Sequence, residues 1–252
     1  MRNKLLTLLA LVAAPLLLGA AMKPVPKPAE VIAIIGTGRV GGALGPQFAK
    51  LGHPVVYGSR EPLSDKVKAL IAKTGGKTKA ETPPNAASQA QIIVLAVPWK
   101  ATEDTLKSLG DLAGKTVIDA TNPFTFGAGG QVSVVADTAG GELIQGWAPK
   151  AKVVKAFNAV GYNVMADPKS AGGPVTIPLA GNDGAAKKRV AEMIEAMGFE
   201  TLDLGSIGNA RYLEGMAVLY ITPYVSGRPQ DGFEYHLRRR ATPLTAPVRP
   251  AG

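Results

Sequence analysis

An apolar run that ends in a glycine turn constrains the fold of this chain more than any other feature of its sequence. Residues 31–35 are Val-Ile-Ala-Ile-Ile, and a G-x-G-x-x-G pattern follows them directly at residues 36–41. Apolar side chains then recur at the spacing of a helix, at Val40, Leu44, Phe48 and Leu51. A strand, a glycine turn and a helix in this order are the context in which the pattern binds a dinucleotide.

Each glycine of this turn has a physical role. Gly36 permits the tight turn, Gly38 lets the backbone approach a pyrophosphate, and Gly41 lets the helix pack closely on the strand. The helix that begins here presents free N–H groups and the positive end of its dipole to phosphates. The sequence therefore predicts a nucleotide site, and the alternative is a glycine-rich turn that holds no ligand.

The corner after the second predicted strand indicates which nucleotide binds. Residues 53–57 read as that strand, and Gly58-Ser59-Arg60 follows, so no carboxylate stands where an NAD site has one for the ribose 2′-hydroxyl. A serine hydroxyl and an arginine guanidinium suit a 2′-phosphate, and Thr37 adds a further hydroxyl. We therefore predict NADP(H). Two alternatives stay open, a merely solvated turn and a pair between Arg60 and Glu61 when the site is empty.

Composition argues against several kinds of site. The 252 residues include no cysteine and two histidines, His53 and His236, so we predict no metal site and no thiolate chemistry. The formal net charge is +9, but part of it lies near the two ends of the chain, including the three arginines at 238–240. Because no basic stripe is interleaved with aromatic residues, we expect no nucleic-acid partner.

Residues 1–22 have the pattern of a secretory signal. Arg2 and Lys4 form a short positive region, residues 5–18 are an apolar run, and small residues suitable for cleavage follow at 19–21. A cleaved signal would make the protein periplasmic or secreted, whereas an uncleaved one would anchor it to a membrane. We favour cleavage because the run is shorter than the about 20 residues of a membrane span. A true start at Met22 would instead make the protein cytoplasmic.

Strand and helix patterns alternate from residue 30 to residue 222. The predicted strands are 31–35, 54–58, 91–97, 116–120, 152–157, 175–180 and 199–204, and the predicted helices are 39–51, 63–73, 86–90, 101–109, 140–148, 184–197 and 207–221. This alternation predicts the α/β class, a doubly wound parallel sheet of Rossmann type with a small C-terminal α+β extension. We expect an NADP-binding domain at 30–150 and a small subdomain at 151–222 on the side of the molecule that accepts hydride from the cofactor. A basic, poorly ordered tail is expected at 223–252.

Three loops lie at the carboxyl ends of predicted strands, where ligands of such sheets bind. They are Val97-Pro98-Trp99, Thr121-Asn122-Pro123 and the loop 157–160 with Asn158. We expect the first two to flank the nicotinamide ribose and ring, and the third to face the partner that exchanges hydride. The alternatives are a packing role for Trp99 and ordinary turn roles for the two asparagines.

Several short segments together resemble one known family. Residues 34–41, 51–53, 58–60, 96–99 and 209–211 are similar to the NADP-dependent reductases of coenzyme F420, an 8-hydroxy-5-deazaflavin carrier. The same domain type occurs in the cytosolic part of the vertebrate metalloreductases of the STEAP group, and Lys155-Ala156-Phe157-Asn158 looks closer to that branch and to bacterial homologues. The resemblance covers nearly everything from residue 30 to about residue 222.

The resemblance also implies roles for individual residues. Pyrophosphate and ribose would be held by Gly36, Thr37, Gly38, Arg39 and Val40, the 2′-phosphate by Ser59 and Arg60, and the nicotinamide half by Val97 and Pro98, with Asn122 and Pro123 beside it. The acceptor pocket would include Trp99, Asn158, Leu213 and Met216. Asn158 is a departure from the family, since archaeal members carry a histidine in that loop.

The predicted function is hydride transfer between NADP(H) and a second redox carrier, a deazaflavin such as coenzyme F420 or a flavin. The cofactor carries such chemistry while the protein orients it and excludes water, so we name no catalytic residue. Tyr212 and Tyr220 could donate a proton, but core positions are the simpler interpretation of both.

Two other functions are alternatives to this prediction. A β-hydroxyacid or imine-type dehydrogenase would need more residues after the sheet, and an NADP(H)-binding sensor or electron-delivery module would need no turnover. A small-molecule redox acceptor and a possible homodimer are the expected partners, with a membrane only if the N-terminus is uncleaved.

Overall fold

The protein folds around one large sheet, described here from a computed structural model that covers residues 29–134, 138–238 and 240–241. The sheet has eight strands: β1 (Ile32–Ile35), β2 (Val55–Gly58), β3 (Thr78–Glu81), β4 (Ile92–Leu95), β5 (Thr116–Asp119), β8 (Lys152–Lys155), β9 (Thr176–Gly181) and β10 (Glu200–Asp203). A separate antiparallel hairpin is formed by β6 (Phe124–Phe126) and β7 (Val132–Val134).

The strand order is β10-β9-β8-β5-β4-β1-β2-β3. The six strands from β3 to β8 are parallel, in the arrangement of a Rossmann sheet, so the predicted fold class is confirmed. β9 pairs antiparallel with β8, and β10 pairs parallel with β9. The sheet is therefore parallel over six strands and reverses its direction over the last two, which belong to the predicted C-terminal extension.

Helices cover both faces of the sheet. They are α1 (Arg39–Lys50), α2 (Asp65–Thr74), α3 (Pro83–Gln89), α4 (Trp99–Ser108), α5 (Gly140–Trp147), α6 (Tyr162–Ala166), α7 (Gly184–Ala196) and α8 (Ala210–Val225). Alternate residues of β1 enter different cores, Ile32 and Ile34 on one face and Ala33 and Ile35 on the other. This burial on both faces explains why the central strands read as continuous apolar runs.

Four of these elements were not predicted, and each lacks the signal of a buried element. β3 has the sequence Thr-Lys-Ala-Glu and forms the edge of the sheet, where it is only partly covered. The hairpin of β6 and β7 lies in a stretch that reads as a glycine-rich loop, and α6 has only five residues. Periodicity over so few residues gives little indication of structure.

The C-terminal region is more ordered than its composition indicates. α8 continues to Val225 and includes Pro223, so the helix predicted to end near 221 is longer. Beyond it, the Tyr235 carbonyl accepts a hydrogen bond from the Thr176 backbone, and the Leu237 N–H donates to the Thr176 hydroxyl. This part of the predicted poorly ordered tail is therefore held against β9.

The predicted signal at residues 1–22 lies outside the described residues. Within the described ranges, no helix has both the length and the apolar character needed to cross a membrane.

Candidate active site

A cleft lies over the glycine turn between β1 and α1, and we call it the glycine-turn cleft. Its volume is about 490 Å³, and its lining includes seven of the residues predicted to bind the cofactor: Gly36, Thr37, Gly38, Ser59, Arg60, Val97 and Pro98. Gly36 has a φ of +115°, and a side chain there would collide with the Ala96 carbonyl. Because no non-neighbouring atom in the described part of the chain lies within 4 Å of a Cβ placed on Gly38, the backbone at that position is open to a ligand.

The N-terminus of α1 faces this cleft without a protein cap. Gly38 occupies the N-cap position, no side chain of the described residues accepts from the first N–H groups, and the first turn carries no acidic residue. Its free donors and the positive end of the helix dipole are therefore available to an anion. This is the arrangement that the sequence predicts for a pyrophosphate.

Gly41 provides a test of the close packing beneath this turn. A Cβ there would overlap the Gly36 carbonyl oxygen and approach Ile34 Cγ2 to 3.0 Å. We expect Gly41→Ala to destabilise the fold by about 1–3 kcal/mol, as overpacking does, and to weaken NADPH binding because the turn must move. Thermal unfolding and fluorescence titration with NADPH measure the two effects.

Gly42→Ala is the matched control for this prediction. It lies in the same helix, and its new Cβ would meet Leu70 Cδ1 at an ordinary 3.6 Å. We expect unchanged or higher stability, since alanine favours a helix over glycine by about 1 kcal/mol. Equal behaviour of the two variants would show that Gly41 is not needed for packing.

The end of β2 forms the polar corner of the glycine-turn cleft. The Ser59 hydroxyl accepts from the Glu61 backbone at 3.1 Å, which leaves its own hydrogen free to donate. Arg60 is exposed, and among the described residues no carboxylate pairs with it, so the alternative pair with Glu61 does not form. Ser64 and Lys66, at the start of α2, also line the cleft and were not predicted. Lys66 could have been predicted, because it is a basic residue in the first turn of the helix that follows the Ser59–Arg60 corner.

A second cleft, of about 670 Å³, adjoins the glycine turn, and we call it the aromatic cleft. Its lining is Arg39, Val40, Ala120, Asn122, Phe124, Phe157, Asn158, Val160, Gly161, Tyr162, Asn163, Met165, Ala217, Tyr220, Ile221 and Tyr224. The Arg39 guanidinium lies 5.3 Å from the centre of the Tyr162 ring, a cation–π contact. Since Gly38 lines the first cleft and Arg39 lines the second, the turn separates two adjacent binding spaces.

Two asparagines form an oriented pair on the wall of the aromatic cleft. The Asn122 side chain donates to the Asn158 carbonyl at 2.8 Å. The Asn158 amide group donates to Asn122 Oδ1 at 3.1 Å and to the Leu213 carbonyl at 2.9 Å. Because both of these partners are acceptors, the orientation of the Asn158 amide is fixed. Its Oδ1 atom is then buried and has no hydrogen-bond partner among the described residues. The capacity of this oxygen to accept is therefore not satisfied by that part of the protein.

Backbone strain lies next to Asn158. Phe157 has a φ of +65°, and it is the one residue other than glycine with positive φ in the described part of the chain. Its ring is buried and meets Phe199 edge to face at 6.3 Å. This packing holds a conformation that costs about 1–3 kcal/mol and that turns the chain from β8 into the loop with Asn158. Sequence reasoning gave no sign of this strain.

A buried charge cluster fixes the ends of β5 and β8 beneath the aromatic cleft. Lys155 Nζ donates to Asp119 Oδ2 at 2.9 Å and to the Thr121 carbonyl at 2.7 Å, and it lies 3.1 Å from Glu214 Oε1. All three charged side chains are fully buried. Glu214 also accepts from the backbone N–H groups of Gly140 and Gly141, so it caps α5. The cluster therefore joins two strands and two helices, and sequence analysis missed it.

Several predicted site residues lie elsewhere. The ring centroids of Trp99 and Trp147 lie 5.7 Å apart. Trp99 and Pro123 both lie against Gly140, and neither lines one of the two clefts. Leu213 is fully buried, and Met216 uses its carbonyl to accept from Tyr235. The α8 wall of the aromatic cleft comes instead from Ala217, Tyr220, Ile221 and Tyr224. Tyr212 is 63% exposed, so its interpretation as a core residue is wrong.

Comparison with known proteins agrees with this geometry. A family profile described as "NADP oxidoreductase coenzyme F420-dependent" matches residues 31–123. A provisionally named F420-dependent NADP-reductase from Arthrobacter sp. FB24 superposes with a TM-score of 0.73 at 30% identity, over 82% of this chain and 99% of that one. The chain belongs to the coenzyme F420-dependent NADP oxidoreductase family. Membership makes it an NADP-dependent oxidoreductase.

Two further relatives match most of this chain. The F420-dependent NADP reductase of Methanothermobacter marburgensis is 29% identical over 213 residues, which are 79% of this chain and 94% of the relative. Metalloreductase STEAP3 of Rattus norvegicus is 32% identical over 198 residues, or 78% of this chain. The chain spans only 38% of the length of that metalloreductase.

The glycine-turn cleft fits the NADP(H) of this family. The uncapped α1 terminus and the open backbone at Gly38 suit a pyrophosphate. Ser59, Arg60 and Lys66 supply a hydroxyl and two cations at the corner where a 2′-phosphate would lie. Val97 and Pro98 continue the lining toward the carboxyl end of β4. The residues present therefore suit this cofactor better than NAD(H).

Proposed function

We propose that this family member transfers hydride between NADP(H) in the glycine-turn cleft and a flavin-type or deazaflavin ring in the aromatic cleft. The observation that carries the proposal is the buried Oδ1 of Asn158, which has no partner among the described residues and belongs to a residue that lines a cleft rich in aromatic side chains. A flat ring with an imide N–H would stack on such side chains and donate to this oxygen. The names of the relatives support a deazaflavin such as coenzyme F420.

The chain's residues bind and orient the reactants in this account. NADPH, when bound, supplies the hydride. The N-terminus of α1 and the Ser59–Arg60 corner would fix the nucleotide, while the Asn122–Asn158 pair would fix the ring plane. Arg39, stacked on Tyr162, is the charged side chain that lines the aromatic cleft, and it suits an anionic tail on the carrier. Placement of two reactants side by side is the main contribution required of the protein.

The test of this function is anaerobic NADPH oxidation by the purified full chain, with coenzyme F420 and FMN offered separately. Turnover with either ring, at a rate proportional to enzyme concentration, is the expected result. NADPH binding without turnover would contradict the proposal and would favour the alternative of a sensor or electron-delivery module.

Asn158→Ala tests the acceptor site separately from the cofactor site. The variant removes Oδ1 and both hydrogen bonds donated by the amide group. We expect KM for the ring substrate to rise about tenfold, the equivalent of roughly 1.4 kcal/mol for a lost hydrogen bond. Steady-state kinetics with varied acceptor measure this change. The NADPH dissociation constant should stay within twofold of wild type, and a selective loss of NADPH affinity would contradict the assignment.

A further inference from the structure

Tyr220 and Glu234 form a hydrogen-bonded pair beside the aromatic cleft that the proposed function does not use. Tyr220 lines the cleft and is 8% exposed. Its hydroxyl donates to Glu234 Oε1 at 2.9 Å. The hydroxyl also lies against Gly161, another lining residue, because a Cβ placed there would come within 2.6 Å of it. A hydroxyl at the wall of the cleft is thus linked to a carboxyl behind it.

The surroundings of Glu234 favour its protonated form. Among the described residues, its second oxygen, Oε2, is buried without a hydrogen-bond partner, and no lysine, arginine or histidine there forms an ion pair with it. The Phe233 and Tyr224 rings pack around Tyr220, with centroids 6.1 Å and 6.0 Å from its own. Burial raises the pKa of Glu234, and the hydrogen bond from Tyr220 offsets this only in part.

Few other titratable groups face this pair. Tyr224 lies one turn along α8, and Tyr235 is next to Glu234 but donates its hydroxyl to the Met216 carbonyl at 2.8 Å. His236 pairs with Glu200 at 3.3 Å, and Arg39 lines the same cleft from α1. The hydrogen bonds of Tyr235 and Leu237 hold the segment in place, so Glu234 stays opposite Tyr220.

We propose that Glu234 and Tyr220 deliver the proton that converts the ring to its neutral reduced form when hydride is transferred. This inference rests on the proposed function. Reduction of a flavin or deazaflavin consumes one hydride, which forms the new bond at the central ring, and one proton, which adds to a ring nitrogen. NADPH, a proton and the oxidised ring therefore give NADP⁺ and the reduced ring.

The pair accounts for the source and return of that proton. In the structure, the Tyr220 hydroxyl donates to Glu234 at 2.9 Å. When Glu234 takes up a proton, its carboxyl can donate to the Tyr220 oxygen instead, which frees the tyrosine hydrogen to point into the cleft. Tyr220 passes its proton to the ring and takes one from Glu234. Glu234 is left as a carboxylate, and because it is only partly buried, water can protonate it before the next turnover.

The test compares Tyr220→Phe and Glu234→Gln with wild type in single-turnover reduction of FMN or coenzyme F420 by NADPH. We expect Tyr220→Phe to slow ring reduction by about 10²-fold, the lower range for a lost general acid, and Glu234→Gln to slow it by about tenfold. Wild type should react more slowly in D₂O than in H₂O, and both variants should lose this difference. Tyr212→Phe removes a phenol hydroxyl from an exposed position of α8, outside the cleft, and should keep the wild-type rate.

A second readout needs no turnover. Infrared difference spectra of the full chain, recorded as the pH is lowered, should show the carbonyl band of a protonated carboxylic acid that Glu234→Gln lacks, and this band should appear at a higher pH than expected for an exposed glutamate. Absence of that band, or wild-type rates in both Tyr220→Phe and Glu234→Gln, would overturn the proton pair while leaving the proposed function intact. A wild-type chain that reduces neither ring would overturn the proposed function and the proton pair with it.

Discussion

Lys155→Met is expected to cause the largest loss of stability of any single change in this account. The substitution removes the cation that contacts Asp119 and Glu214, and it leaves two carboxylates fully buried. Loss of one partner of a buried ion pair typically costs about 3–5 kcal/mol, because the remaining charge stays desolvated. For a chain of this size, that corresponds to a fall in Tm of roughly 10 °C.

Thermal unfolding of Lys155→Met against Lys107→Met measures this effect. Lys107 forms an ion pair with Glu103 on the exposed face of α4, so its loss should leave Tm within experimental error. Methionine is unbranched and retains much of the packing of the lysine stem, which isolates the charge. Equal Tm values for the two variants would show that the buried cluster does not stabilise the fold.

Arg60→Ala is expected to produce the largest change in cofactor preference. Arg60 lines the glycine-turn cleft and has no carboxylate partner among the described residues, so its guanidinium is free to pair with a 2′-phosphate. Loss of a hydrogen bond to a charged group costs about 1.5–3 kcal/mol, or roughly 10–150-fold in kcat/KM for NADPH. The kcat/KM for NADH should stay unchanged, because NADH has no 2′-phosphate.

The control for Arg60→Ala is Lys68→Ala. Lys68 lies on α2, carries the same charge and pairs with Asp65 at the surface, outside the cleft. Its removal should lower the kcat/KM values for the two cofactors equally or not at all. An equal loss for NADPH and NADH in Arg60→Ala would contradict the proposed contact with the 2′-phosphate.

The nucleotide half of the site could be predicted from sequence because its determinants are local. The strand, the glycine turn and the first helix are consecutive, and backbone geometry requires glycine at Gly36 and Gly41. The corner at Ser59 and Arg60 follows directly from the end of β2. Each of these elements has its own sequence pattern. The order of these patterns along the chain was therefore enough to predict where the glycine-turn cleft lies.

The aromatic cleft, where we propose that the acceptor binds, could not be predicted in the same way, because contacts between distant residues determine it. Glu214 is anchored by Lys155 and by the N-terminus of α5, and these contacts fix the rotation of α8. Leu213 is then fully buried, and the α8 residues that line the aromatic cleft begin one turn later, at Ala217. Helical spacing indicated one apolar face of α8, but it could not show which turn of that face lines a ligand space.

The position of Glu234 was even harder to predict from local sequence patterns. Its segment carries no strand or helix signal, and its position depends on hydrogen bonds to Thr176 and Met216. A basic composition therefore predicted a solvated tail, where tertiary contacts instead place a carboxyl behind the cleft.

The central claim is that hydride passes directly from NADPH to a ring bound in the aromatic cleft. The most direct test is single-turnover reduction of coenzyme F420 by NADPH that carries deuterium at both C4 positions, with the product analysed by mass spectrometry. Because a deazaflavin accepts hydride at carbon, the new C–D bond does not exchange with water. We predict one deuterium per reduced ring. In Asn158→Ala, each reduced ring should still carry one deuterium, but less reduced ring should form. Reduced ring without deuterium, or NADPH binding without any reduction, would contradict the account.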